Sequence, residues 1–204
     1  MAVASQRGSN LTLQGEIIDT QHVTELFMRL SGDIGVGKNT LVKRLRNING
    51  PLYDESTPIL KLNLDSLELN LAYISGSRRN GQYFITIDFE PAPFPQDFVE
   101  TPFYLLKALL FCIDVNNPES VENIGGRVGL YRDNFFESMP SSVLVGTKID
   151  LRNNNAGSIS TAHGRELARA VEINRYIECS AWRKNGTMLL FQTVLSLLDL
   201  WENN

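Results

Sequence analysis

Short apolar runs and longer amphipathic stretches alternate along the chain, and this pattern predicts the order of its elements. Apolar runs typical of strands lie at 26–31, 59–75, 82–88, 105–115, 142–148 and 176–179. Helical periodicity predicts helices at 38–47, 119–136 and 161–172, and a last helix that ends at residue 201. The pattern therefore predicts an α/β fold with a mostly parallel sheet, helices on both of its faces, and a ligand crevice at the carboxyl ends of the strands.

Length and composition fit one globular domain with a short extension. The chain has 204 residues, of which 43% are hydrophobic and 21% charged, and this excludes a disordered or low-complexity protein. Residues 1–24 are polar and weakly patterned, so we predict an N-terminal extension followed by one domain over residues 25–204. A net charge of −4 gives no electrostatic reason to expect nucleic acid as a partner.

The cysteines and the two ends of the chain give an expectation of the cellular compartment. Cys112 and Cys179 both lie in apolar runs, which favours reduced core thiols over a disulfide framework. The N-terminus lacks a signal pattern, and the C-terminus lacks a cysteine that could be prenylated. We therefore expect a cytoplasmic protein without a sequence-encoded lipid anchor.

A glycine-rich segment between the first strand and the first helix carries the strongest chemical signal. It reads Gly-Asp-Ile-Gly-Val-Gly-Lys-Asn-Thr over residues 32–40 and is called the phosphate loop below. Glycines let backbone N–H groups turn inward around phosphate oxygens, the helix adds the positive end of its dipole, and the lysine reaches the β- and γ-phosphates. A glycine turn followed by a chance lysine is the simpler alternative. The predicted phosphate-binding residues are Gly32, Ile34, Gly35, Val36, Gly37, Lys38, Asn39 and Thr40.

Two further segments, each at the end of a predicted strand, indicate recognition of a purine base. Thr147, Lys148 and Asp150 follow one strand, and the aspartate can accept hydrogen bonds from N1 and the 2-amino group of guanine. Ser180 and Ala181 follow the next strand and can bring backbone N–H groups to the guanine O6. A solvated Lys-Asp pair and a plain Ser-Ala turn are the alternatives for either segment taken alone.

Together these segments resemble the Ras superfamily of small GTP-binding domains in their order and spacing over residues 25–201. The amino-acid sequences of residues 145–152 and 178–181 resemble those of Rho proteins. The stretch 153–162, however, is too short for the additional helix that Rho proteins have there. The resemblance implies a P-loop small-GTPase domain with a six-stranded sheet. It also implies GTP or GDP as ligand, Mg²⁺ as cofactor, and effector or scaffold proteins that bind its two switch regions.

The resemblance also implies a metal site, and this chain departs from it. Asn39 replaces the Ser or Thr whose hydroxyl binds Mg²⁺ in the family, and its larger amide is a poorer ligand. Thr57, nineteen residues after Lys38, matches the first-switch threonine, although an ordinary loop threonine before proline is the alternative. Asp88 matches the aspartate that holds the metal through water. We expect a weakened Mg²⁺ site formed by Asn39, Thr57 and Asp88.

The second switch departs most from the family, and we assign no catalytic residue. Pro91 occupies the position of the family's glycine, whose backbone N–H contacts the γ-phosphate. Proline has no N–H and cannot make this contact. Ala92 replaces the glutamine that orients water, and the branched Ile34 crowds the place where an arginine finger would enter. The expected function is a guanine-nucleotide-binding signalling or scaffold module with weak or absent hydrolysis. A nucleotide-free pseudo-GTPase interaction module and an active GTPase with unusual catalytic residues remain alternatives.

Two remaining patterns carry no predicted chemistry. His22 and His163 are far apart in sequence and lack a zinc-ligand pattern around them. The last helix carries a wide apolar stripe, from Leu189 to Leu198, that predicts burial in the core.

Overall fold

The computed structural model of the protein describes residues 12–13, 16–17, 23–46, 66–71, 82–89, 106–135, 139–154 and 157–198. The strands are β1 (Thr12–Leu13), β2 (Glu16–Ile17), β3 (Val23–Ser31), β4 (Ser66–Leu71), β5 (Gln82–Phe89), β6 (Leu106–Asp114), β7 (Ser141–Thr147) and β8 (Tyr176–Glu178). The helices are α1 (Lys38–Arg46), α2 (Pro118–Glu122), α3 (Ile124–Asn134), α4 (Thr161–Ala170) and α5 (Thr187–Leu197), with a 3-10 helix at Ile149–Asn154.

Six strands form one sheet in the order β4-β5-β3-β6-β7-β8, and β1 pairs with β2 in a separate two-stranded sheet. Only the β4–β5 pair of the larger sheet is antiparallel, and its other neighbours run parallel. The predicted α/β fold with a mostly parallel six-stranded sheet is confirmed. Because β3, β6, β7 and β8 are parallel, the segments that follow them meet at one edge of the sheet.

The core lies on both faces of the sheet, as strand β6 shows. Residues at alternate positions of β6 enter two different clusters, since Leu110 and Cys112 pack with residues of α1 and α5 while Phe111 and Ile113 pack with residues of α3 and α4. A strand covered on both faces is apolar along nearly its whole length, which explains the uninterrupted run seen in the sequence. Both cysteines are free and buried, as predicted, and burial raises the pKa of the Cys112 thiol to about 12.

Several predicted boundaries differ from the structure. The prediction of one helix over residues 119–136 is wrong, because α2 and α3 are separate helices that meet at Asn123. Gly125 and Gly126 follow this junction, and glycine lowers helix propensity. Strand β3 begins three residues before the predicted start, at Val23. Leu189 is 57% exposed, so the predicted core stripe of α5 is wrong at this position.

A helical glycine, Gly164, is required by the packing of α4 on β8. A Cβ atom at Gly164 would overlap the ring of Tyr176, whose hydroxyl donates a 2.9 Å hydrogen bond to Glu178. We expect Gly164→Ala to lower the free energy of unfolding by about 1–3 kcal/mol, since the tyrosine must move and lose this bond. Gly126→Ala in α3 is the matched control, because a Cβ there meets open space and should stabilise the helix by up to about 1 kcal/mol. Urea unfolding measures both, and equal stabilities of the two variants would contradict the packing.

None of the helices described here is both long and apolar enough to cross a membrane.

Candidate functional site

The phosphate loop joins β3 to α1, and three of its glycines have positive φ angles. Gly32, Gly35 and Gly37 have φ values of 145°, 82° and 99°, which L side chains rarely adopt. A Cβ at Gly32 would overlap the carbonyl oxygen of Cys112, so the loop packs directly on strand β6. Gly37 faces Lys148, since a Cβ there would lie 3.7 Å from its Cε. The glycine pattern read from the sequence therefore has a geometric cause in the structure.

Lys38 is the first residue of α1, and its ammonium group contacts the backbone of the phosphate loop. Its Nζ donates hydrogen bonds to the carbonyl oxygens of Gly32 and of Asp33, the latter at 3.0 Å. Burial is the main cause that lowers the pKa of Lys38 below its ordinary value. A partly desolvated ammonium gains more from an anionic partner than an exposed one does. The lysine is thus placed beside the loop backbone that was predicted to hold phosphate.

An ion pair that the sequence analysis missed fixes the loop to the neighbouring helix. The Asp33 carboxylate accepts hydrogen bonds from Arg127 of α3 and, at 2.9 Å, from the side-chain amide of Asn123. The partners are 94 and 90 residues apart, so no local pattern indicates them. Because both side chains of the ion pair are largely buried, the contact restrains the loop against α3.

Thr147 joins the phosphate loop to the end of β7. Its hydroxyl lies 2.6 Å from the carbonyl oxygen of Val36 and 2.9 Å from that of Ile113. Lys148 follows in a left-handed conformation with φ of 57°, and its ammonium lies 2.8 Å from the Asp114 carboxylate. The second predicted segment is therefore in direct contact with the first.

One cavity of about 200 Å³ lies where the predicted segments meet. Its lining residues are Gly37, Thr40, Leu41, Thr147, Lys148, Asp150, Leu151, Cys179, Ala181 and Trp182. The volume is below the roughly 300 Å³ of the smallest pockets for whole drug-sized ligands, so it suits a base rather than a complete nucleotide.

The structure distributes the predicted binding residues in three places. Six line the cavity, namely Gly37, Thr40, Thr147, Lys148, Asp150 and Ala181. The others of the phosphate loop form its backbone and the start of α1, namely Gly32, Ile34, Gly35, Val36, Lys38 and Asn39. Ser180 is fully buried behind the cavity, and its N–H donates to Asn185 O at 2.8 Å instead of pointing into the cavity.

A partly buried network around Glu178 connects the two predicted base-binding segments. Arg152 of the 3-10 helix donates to both carboxylate oxygens of Glu178, and Thr161 and Tyr176 donate at 2.8 and 2.9 Å. Burial by itself would raise the pKa of Glu178, but the hydrogen bonds from Arg152, Thr161 and Tyr176 hold that pKa below its ordinary value. The network ties the segment of Asp150 to the strand that leads to Ala181. No local pattern in the sequence indicates these contacts of Glu178.

The Glu178 network makes part of the stability dependent on pH. A depressed pKa means that the folded state favours the charged carboxylate, so this stability is present above about pH 4.3 and is lost as pH falls through the lower folded value. We expect Glu178→Gln to cost about 1–3 kcal/mol of unfolding free energy at pH 7, and less at pH 3.5. Urea titrations at both pH values measure this difference.

Glu172→Gln is the control, because its carboxylate is 74% exposed and pairs with Arg132 only at the surface. A cost of Glu178→Gln that is the same at both pH values would contradict the network.

The predicted metal residues are only partly described. Asn39 is exposed in the first turn of α1, and Asp88 lies near the end of β5 in register with Arg29. Thr57 lies outside the described residues, as do Pro91 and Ala92. In the described part of the chain, no three His, Cys, Asp or Glu side chains gather as they would around a metal ion. The Mg²⁺ site therefore stays a prediction.

Comparison with known proteins identifies a family and a relative of this chain. The family model described as Ras family matches residues 96–199. The Rho-related GTP-binding protein RhoD of Homo sapiens is 33% identical over 94 residues, which cover 41% of this chain and 44% of that protein. The aligned part thus spans less than half the length of this relative. The family-model match includes the segments that line the cavity after β7.

Proposed function

The chain belongs to the Ras family, and from this premise we propose that it binds a guanine nucleotide at the junction of the phosphate loop, β7 and β8. One observation carries the proposal: a single cavity is lined by residues of all three segments that the sequence singles out. These segments are up to 144 residues apart, between Gly37 and Ala181 (181 − 37), and nothing in local structure requires them to meet.

Each part of the junction suits a different part of the ligand. Asp150 presents acceptors at the cavity for the N1 and 2-amino donors of guanine, which adenine lacks in that arrangement. The phosphate loop and the N-terminus of α1 provide backbone N–H groups and a positive helix end for the phosphates. Lys38 adds a partly desolvated positive charge beside them. These three features together support a nucleoside di- or triphosphate.

We further propose that hydrolysis of GTP is very slow or absent, so that the protein acts as a signalling or scaffold module through protein contacts. Pro91 lacks the N–H that would contact the γ-phosphate, Ala92 cannot orient water, and Asn39 weakens Mg²⁺ binding. Ile34 is 79% exposed on the phosphate loop, and a branched side chain at this position would crowd an incoming arginine. Effector proteins at the switch regions and a cytoplasmic location belong to the same proposal.

The experiment measures binding and turnover separately. Freshly purified protein is denatured and any released nucleotide identified, and GDP and GTP are then titrated by calorimetry with excess Mg²⁺. We expect guanine-nucleotide binding and a phosphate-release rate far below that of the human RhoD protein measured in parallel. A rate equal to that control would overturn the hydrolysis proposal. Pro91→Gly combined with Ala92→Gln restores the family pattern and should raise the rate.

The second candidate, a nucleotide-free interaction module, is favoured by the partners of the two lysines. Lys38 already contacts carbonyl oxygens of its own loop, and Lys148 pairs with Asp114 at 2.8 Å. Both positive charges are therefore satisfied within the protein. Absence of released nucleotide together with absence of GDP and GTP binding would support this candidate and exclude the first.

A further inference from the structure

A cavity of about 370 Å³, larger than the one beside the phosphate loop, lies at the edge of the sheet that β8 forms. Residues of α4, of β8 with the turn before it, and of α5 line this cavity. It shares no lining residue with the cavity proposed for the nucleotide base. We call it the arginine groove, and the residues that characterise it are Arg165, Arg169, Ile173, Arg175, Ile177 and Leu189.

Three arginines without ion-pair partners line the groove. Arg165 and Arg169 are exposed and lie one helical turn apart on α4, and Arg175 is exposed just before β8. In the described part of the chain, no carboxylate forms an ion pair with any of these guanidinium groups. Glu172, close to them in the sequence, pairs instead with Arg132 at 3.1 Å. The groove therefore attracts an anionic ligand, although the whole chain has a net charge of −4.

The floor of the groove is apolar. Ile173 and Ile177 line it and are only 2% and 7% exposed, so they are recessed below the exposed arginines. Leu189, in the first turn of α5, lines the same groove and is 57% exposed. An exposed leucine leaves hydrophobic area in water, and a bound apolar side chain would remove that area from water. The groove thus combines positive charge at its rim with apolar surface at its floor.

From these observations we infer that the arginine groove binds an acidic segment of a partner protein. Carboxylates of this segment pair with the arginines, because planar guanidinium groups match carboxylates in bidentate hydrogen bonds. An apolar side chain of the same segment packs over Ile173 and Ile177. The volume lies within the range of about 300–1,000 Å³ that encloses a drug-sized group, which is enough for a few side chains of a peptide.

The recessed floor favours a protein segment over a lipid surface. A flat anionic membrane would reach the exposed guanidinium groups but not Ile173 and Ile177, which are nearly inaccessible from outside the groove. A peptide side chain can enter the groove and cover both isoleucines. The inference goes beyond the proposed function and does not depend on a bound nucleotide, since the two cavities have no residue in common.

Peptide selection on the intact chain tests the inference. A phage-displayed library of random peptides is selected on the protein, and the recovered peptides are synthesised with a fluorescent label. Fluorescence anisotropy then measures their affinity for the wild-type protein and for Arg165→Gln combined with Arg169→Gln. We expect peptides that combine Asp or Glu with a large apolar residue. The double variant should bind them at least about fivefold more weakly, because ion pairs at two arginines are lost.

Lys107→Gln combined with Arg183→Gln is the matched control, because it removes two exposed positive charges that do not line the groove. Its affinity for the same peptides should stay within about twofold of the wild-type value. Leu189→Ala should weaken binding without a change in charge, since it removes apolar contact area. All the substituted side chains belong to exposed residues, so the thermal midpoints of the variants should match that of the wild-type protein.

Failure to recover any acidic peptide that binds the groove variant more weakly than the control variant would overturn the inference. Without such a peptide, arginine-dependent binding of vesicles of phosphatidylcholine and phosphatidylserine would indicate a membrane surface as the occupant. A dimer in sedimentation velocity that the groove variant abolishes would, in the same case, indicate a second copy of this chain. None of these results bears on nucleotide binding, so the proposed function stands or fails separately.

Discussion

Replacing Asp150 with alanine is expected to abolish the preference for guanine over adenine nucleotides. Asp150 is half-buried in the first turn of the 3-10 helix and lines the cavity, so its carboxylate can accept two hydrogen bonds from the base. Bonds to a charged group contribute about 1.5–3 kcal/mol each, and GDP affinity should fall by about 100-fold or more. ADP affinity should change little, because adenine offers no matching donors there.

Competition of GDP, ADP and xanthosine diphosphate against a labelled nucleotide measures this change. Asp150→Asn sharpens the test, since its amide places a donor where the carboxylate had an acceptor, and xanthine carries an oxygen at C2. We expect this variant to bind GDP more weakly, and xanthosine diphosphate more tightly, than the wild-type protein does. Asp133→Ala, an exposed aspartate of α3, controls for the change in net charge. An unaltered GDP-to-ADP ratio in Asp150→Ala would mean that the base binds elsewhere.

Replacing Lys38 with alanine should strongly reduce the contribution of the β-phosphate to nucleotide affinity. The lysine starts α1, and its ammonium lies beside the loop carbonyls of Gly32 and Asp33. In the proposed complex it exchanges these neutral acceptors for the β- and γ-phosphates, which are charged. We expect GDP to bind about 10- to 100-fold more weakly and GTP at least about 100-fold more weakly, because GDP loses one charge-assisted contact and GTP loses two. GMP has no β-phosphate and should bind as it does to the wild-type protein.

Calorimetry with GMP, GDP and GTP on Lys38→Ala gives the comparison. Lys107→Ala, which removes an exposed lysine from β6, is the control for loss of one positive charge. Equal losses for GMP and GDP would indicate a collapsed loop instead of a lost phosphate contact. Unfolding in urea distinguishes that case, because a collapsed loop would also lower stability.

The geometry of the phosphate loop could be predicted from a local sequence pattern. Glycines at positive φ and a lysine at the first helical position act within nine consecutive residues, so their spacing in the sequence is also their arrangement in space. The burial of one strand could be predicted for a similar reason. A strand with helices on both faces must be apolar throughout, and β6 has this pattern in its sequence.

The contacts that bring the parts of the site together cannot be predicted from such local patterns. Asp33 pairs with Arg127, Glu178 with Arg152, and Thr147 with Val36, at separations of 94, 26 and 111 residues. Any of the chain's 19 basic residues could pair with any of its 23 acidic ones as far as the sequence shows. The choice among them follows from the parallel sheet, which places the ends of β3, β6, β7 and β8 at one edge.

The sequence by itself determined the α/β class and the phosphate loop, and it carries the prediction of weak hydrolysis from Pro91 and Ala92, because these depend on residue type and short spacing. Only the tertiary structure decided that Asp150, Thr40 and Ala181 share one cavity, that Ser180 lies behind it, and that Trp182 stands at its edge. The physical reason is that a side chain's burial and neighbours depend on how strands stack and helices cover them, and these interactions join residues far apart in the chain.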